Sequence, residues 1–131
     1  MPERKIITAE KAPKPIGPYS AGVRAGPFIY TAGQIGIDPA TGDLVSGGIE
    51  AETHQVLTNV KNILEAAGAS MDRVVKTTVF LGDMLDFARM NAVYAQFFPS
   101  VPPARTTVAV AGLPKGASVE IDAVAILEEH P

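Results

Sequence analysis

The sequence predicts an α+β fold, a mixed β-sheet carrying two helices on one face, and three observations carry the prediction. Apolar residues recur at helical spacing in two segments, 49–67 and 87–97. The other apolar runs are short, rich in β-branched and aromatic residues, and bounded by Gly and Pro. The resulting order, β, β, β, α, β, α, β, β, points to a sheet with its helices on one side. At 131 residues, with no internal repeat or linker, residues 1–131 are expected to form a single domain. A chain of this size buries roughly 65–70% of its unfolded surface without metals or disulfides.

Each element has a local reason. Residues 5–8 read as a short first strand, and Ala12-Pro13-Lys14-Pro15-Ile16-Gly17-Pro18 follows as a structured loop, because three prolines forbid helix and leave few donors for pairing. Residues 20–24 and 28–35 bracket Ala25-Gly26-Pro27 and read as a hairpin. Asp38-Pro39-Ala40-Thr41-Gly42 is a turn. The set Ile49, Val56, Leu57, Val60, Ile63, Leu64 and Ala67 marks an amphipathic helix, and Gly68 stands where a left-handed cap belongs. Residues 74–81 form a strand. Asp83 can then cap a second helix whose stripe is Phe87, Met90, Tyr94 and Phe97, with Pro99 ending it.

The last strand has a consequence beyond one chain. Val119, Ile121, Ala123, Ala125 and Leu127 share one face, yet Val124 and Ile126 on the other face are apolar too. Two helices cover one face of such a sheet, so the second is expected to be buried in a homo-oligomer.

Composition excludes several classes of function. A net charge of −3 and no run of Lys or Arg remove the electrostatic footprint of nucleic-acid binding. The chain has no Cys and two His; His54 sits at a polar helix position, His130 lies in the tail, and the carboxylates are scattered. No metal-ligand constellation results, and no cofactor is expected. Gly112-Leu113-Pro114-Lys115-Gly116 lacks the spacing of a phosphate loop. No apolar stretch approaches the ~18 residues needed to span a bilayer, and residues 1–5 are too charged to open a signal peptide. A soluble cytoplasmic protein without membrane partners is the expectation.

Pro103-Ala104-Arg105-Thr106-Thr107 delivers one arginine into a run that otherwise reads as a buried strand. A guanidinium there needs an anion, and its fork of donors matches a carboxylate. That anion is either a side chain or a ligand. Glu120, between Val119 and Ile121, is the internal candidate; if the two C-terminal strands pair, the cation and the carboxylate share one site. Thr107 falls on the same strand face as Arg105.

With Ile16-Gly17-Pro18-Tyr19-Ser20, Thr31-Ala32-Gly33-Gln34-Ile35, Asn59-Val60-Lys61, Val75-Lys76-Thr77-Thr78-Val79, Asp86-Phe87, Asn91-Ala92-Val93-Tyr94, Pro103-Ala104-Arg105, Leu113-Pro114-Lys115 and Val119-Glu120-Ile121 in this order, the chain resembles the RidA/YjgF family over nearly its whole length. The resemblance implies a chorismate-mutase-like homotrimer with a site in each cleft between subunits. It also implies hydrolysis of reactive enamine and imine intermediates, of the 2-aminoacrylate or 2-iminopropanoate type, to 2-keto acids and ammonia. In that reading Arg105 binds the substrate carboxylate, Glu120 handles water and protons, and Tyr19 closes over the substrate. Gly33, Asn91, Thr107 and Ala32 complete the binding surface. The sequence departs from the family pattern at Ala32, where a serine hydroxyl often lies, and at Thr107, which replaces a frequent cysteine. Two other functions compete: the endoribonuclease and translation inhibitor named for the same family, and a non-catalytic module binding small carboxylate metabolites.

Overall fold

A computed structural model of the chain describes residues 3–127; His130 lies outside the described residues. Six strands, β1 (Arg4–Ile7), β2 (Gly22–Ala25), β3 (Phe28–Thr31), β4 (Val74–Leu81), β5 (Ala104–Ala109) and β6 (Val119–Ile126), form one sheet in the order β1-β2-β3-β6-β4-β5. The pair β4–β5 is parallel and the other pairings are antiparallel, so the sheet is mixed. Two helices, α1 (Gly48–Ala66) and α2 (Phe87–Phe97), pack on one face. The parallel pair requires a long crossover, which α2 supplies.

Helix α1 follows its apolar period closely. Ile49, Val56, Leu57, Val60, Ile63 and Leu64 are buried. Gly68 takes the left-handed conformation at φ 86°, and the N–H groups of Gly68 and Ala69 close back on Glu65 and Leu64 at 3.1 and 2.9 Å. The loop at residues 12–18 contains neither helix nor strand, as its prolines dictate. Asp83 does cap, but it accepts the N–H of Leu85 in a short 3-10 turn, Met84–Asp86, that precedes α2 proper. Met90, Val93 and Tyr94 carry the burial of α2. Phe87 remains 37% exposed, because it opens the helix at the sheet edge and covers a charged neighbour there.

Asn59 sits inside the apolar stripe of α1 and is fully buried. Its Nδ2 donates to the carbonyls of Ile35 and Ile37 at 3.3 and 2.9 Å, and its Oδ1 accepts from Gln55 at 2.9 Å. These bonds tether the segment leaving β3 to the helix. Asn59→Ala should strand the Ile37 carbonyl, while Ile35 O keeps the N–H of Ile37 at 2.8 Å, and destabilise the protein by about 1–3 kcal/mol. Urea unfolding is expected to show a lower midpoint at unchanged m.

The two sheet faces differ as expected. Val119, Ile121, Ala123 and Ala125 point at the helices and are at most 2% exposed. The alternate residues Glu120, Asp122, Val124 and Ile126 are half-buried with no helix over them. Phe28, Tyr30 and Val108 share that open side and are exposed. No helix among the described residues is long and apolar enough to cross a membrane.

Candidate functional site

Four of the residues singled out above meet in one cavity of about 310 Å³, formed by the proline loop, the segment after β3 and the start of β6. Tyr19, Ala32, Gly33 and Glu120 line it, with Pro13, Lys14, Pro15, Ile16, Gln34, Ile35, Ile37 and Pro114. The Tyr19 phenol oxygen accepts the N–H of Ile16 at 3.3 Å, so the ring is held by its own loop at the mouth. Gly33 sits at a one-residue irregularity: β3 pairs Tyr30 with Val124 and ends at Thr31, and antiparallel pairing with β6 resumes, shifted by one residue, at the bridge Gln34–Ile121. A Cβ on Gly33 would run into the Glu120 carboxylate, 2.9 Å from its Cδ. Glycine is therefore required for that carboxylate to lie flat against the backbone.

Glu120 is unusual electrostatically. Burial, and then the negative charge of Asp122 beside it, push its carboxyl above the usual range. Asp122 is also raised by burial, against hydrogen bonds from Thr78 and the charge of Lys76.

Arg105 occupies a second station, on the edge strand β5. Its guanidinium carbon lies 4.7 Å from the centroid of Tyr94 and 5.5 Å from that of Phe87, so α2 supplies two aromatic faces to the cation. The Tyr94 hydroxyl is fixed by Thr77 Oγ1 at 2.7 Å. Burial raises the Tyr94 pKa, opposed by the Thr77 bond and by the charge and hydrogen bond of Arg105. Among the described residues no ion pair joins Arg105 to a carboxylate. Asn91 falls between Phe87 and Tyr94 at helical spacing and so shares their face. Its Oδ1 is buried without a hydrogen-bond partner among the described residues. Thr107 sits level with Val79, as Arg105 sits level with Thr77, so both face the helix side.

One expectation fails. The two C-terminal strands do not pair, because β4 lies between them, and Arg105 and Glu120 do not form one site within a chain. Arg105 is level with Thr77, whereas Glu120 is level with Phe80, two strands away and three residues along. That amounts to roughly 14 Å in the plane of the sheet. The side chains also leave opposite faces, since Thr77 points at the helices and Glu120 alternates with the buried Val119 and Ile121. The structure thus brings Tyr19, Ala32, Gly33 and Glu120 together, and separately Arg105, Thr107 and Asn91. Sequence reasoning missed the aromatic cradle, because Phe87 and Tyr94 look like core stripe when Arg105 is not known to lie over them.

Comparison with known proteins shows the family. A family model described as Endoribonuclease L-PSP matches residues 9–127. A Bos taurus protein named 2-iminobutanoate/2-iminopropanoate deaminase is 53% identical over 123 residues, covering 94% of this chain and 90% of its own length. The crystal structure of the YjgF gene product of E. coli superposes with a TM-score of 0.91 at 46% identity, covering 95% of this chain and 99% of that one. E. coli TdcF with bound serine has a TM-score of 0.91 at 42% identity, with the same shares covered. The matched span, these identities and the shared fold establish that the chain belongs to the RidA/YjgF family, the endoribonuclease L-PSP group.

Proposed function

We propose that the protein hydrolyses reactive enamine and imine intermediates of the 2-iminopropanoate type to 2-keto acids and ammonia, at sites shared between protomers of a homotrimer. The carrying observation is the guanidinium of Arg105, half-buried on two aromatic rings and joined to no carboxylate among the described residues. A cation so placed suits a small anionic ligand. Two further observations support the reading. The Bos taurus relative bears the name of this activity, and the TdcF structure contains serine, a small amino acid.

The chemistry follows from the two stations. Arg105 of one protomer grips the substrate carboxylate and fixes its orientation, and positioning of this kind is worth several kcal/mol of barrier. A neighbouring protomer's Glu120 receives the electrophilic carbon beside its carboxylate. Glu120 orients a water and takes its proton as the oxygen adds to the C=N carbon, giving a carbinolamine. The proton passes to nitrogen, Glu120 takes the hydroxyl proton as the C–N bond breaks and the C=O forms, and that proton is handed to the departing ammonia, so that the keto acid and ammonium leave. An iminium plus water thereby yields a ketone plus ammonium, with charge and atoms balanced. Tyr19 bounds the substrate, Gly33 lets the backbone approach it, and Asn91 and Thr107 supply polar contacts from the arginine side. Ala32 offers no hydroxyl, so Tyr19 and backbone groups must hold the water without one.

The deciding experiment generates 2-aminoacrylate with a pyridoxal-phosphate lyase and follows its decay with and without the protein. Acceleration is expected, with keto acid and ammonium released in equal amounts. No acceleration refutes the hydrolase; ligand binding without turnover would leave a metabolite-binding module. Incubation with RNA is expected to leave it intact.

A further inference from the structure

Glu52 is a buried carboxylate that no step above employs. It lies on α1 and is 5% exposed. Its Oε1 accepts the N–H of Ser118 at 2.8 Å, two residues before Glu120. Its backbone also packs against the segment after β3, since a Cβ on Gly36, between the cavity-lining Ile35 and Ile37, would approach Glu52 Cα and O to 3.1 Å each. Gly36 lies three residues beyond Gly33, in the segment that Asn59 tethers at Ile35 and Ile37.

Glu120 is therefore held from both sides along β6. Beyond it, Ile121 exchanges two backbone bonds with Gln34, at 2.9 and 3.1 Å. Before it, the Ser118 carbonyl accepts from Gly82 at 3.0 Å, while the Ser118 N–H is directed at Glu52. A half-buried backbone N–H needs an acceptor, and here a helix side chain supplies it. The Glu120 carboxylate lies directly against Gly33, in the space that a side chain at residue 33 would occupy, so where β6 begins decides where that carboxylate falls.

We infer that Glu52 is a positioning residue for Glu120, anchoring the start of β6 to α1 so that the Glu120 carboxylate stays beside Gly33 in the cavity. The inference rests on the deaminase reading above. Three variants test it: Glu52→Gln keeps an acceptor at the same reach, Glu52→Asp shortens it by one methylene, and Glu52→Ala removes it. With imine generated in situ, and well below each variant's Tm, Glu52→Ala should lower kcat about 10- to 100-fold with KM within about twofold, since a small misplacement of a catalytic group costs this much while the arginine grip survives. Glu52→Gln should stay within about threefold of the parent, and Glu52→Asp should fall between them.

A folded Glu52→Ala with parental kcat overturns the inference, as does a loss confined to KM or a Glu52→Gln as impaired as Glu52→Ala. Should Glu52→Ala not fold, a Glu52→Asp variant with parental kcat overturns it equally. The deaminase reading is judged apart, by turnover of the parent protein. If the parent has none, Ser118 amide exchange decides: faster in Glu52→Asp than in Glu52→Gln supports the anchor, and equal rates reject it.

Discussion

Arg105→Ala is expected to lower kcat/KM for imine hydrolysis about 10³-fold, because losing one partner of a desolvated charge pair removes both attraction and orientation. Arg105→Lys should recover a small part of the loss, since an ammonium restores the charge without the planar fork. Folding should change little, as the guanidinium lies at the edge strand over Phe87 and Tyr94 rather than in the core. The variant also tests where the site is built. Mixing subunits of Arg105→Ala with subunits of Glu120→Ala, each inactive alone, should restore about a quarter of parental activity: in random trimers three-quarters are mixed, and each mixed trimer has one intact cleft of three. A site within one chain would give no recovery on mixing. Single-turnover rates on reassembled mixtures, with size-exclusion chromatography to verify exchange, distinguish the two.

Glu120→Gln should cost about 10²–10⁴-fold in kcat, the usual worth of a positioned general base, while making the protein more stable. The sign follows from the raised pKa of Glu120. The fold penalises the charged form, so the contribution of Glu120 to stability is greatest below the ordinary carboxylate range and falls as pH climbs from there to the raised value. Above that value the full penalty persists, and the amide removes it. Tm at neutral pH is expected to rise by about 1–3 °C. Activity should run the opposite way with pH: kcat/KM increases as Glu120 ionises, with a midpoint above the normal carboxylate range, and that limb vanishes in Glu120→Gln. Loss of activity together with loss of stability would instead assign Glu120 a structural role.

Helix α1 was legible from its period and from Gly68, because both are local properties of the chain. The open sheet face was legible too, since Val124 and Ile126 alternate with residues that the helices cover. Neighbouring strands were harder to assign. β5 and β6 are consecutive in sequence, and nothing local reveals that β4 inserts between them, because a parallel partner is chosen by the crossover helix and not by the strand's own residues. Arg105 stood out as a lone charge in an apolar run, but its cradle did not: the stripe of α2 shows which residues share a face and not which part of that face meets the core. Glu52 gave no signal, as one acid on a helix ordinarily faces solvent.

The stacking of Arg105 between two rings bears on what its grip costs. A free arginine forfeits on the order of 2 kcal/mol of torsional freedom when a ligand immobilises it; one already pinned by aromatic neighbours has given up much of that during folding. On the proposed function, a compound that decomposes spontaneously in water would meet an arginine already ordered, so that less of its binding energy goes into arranging the grip.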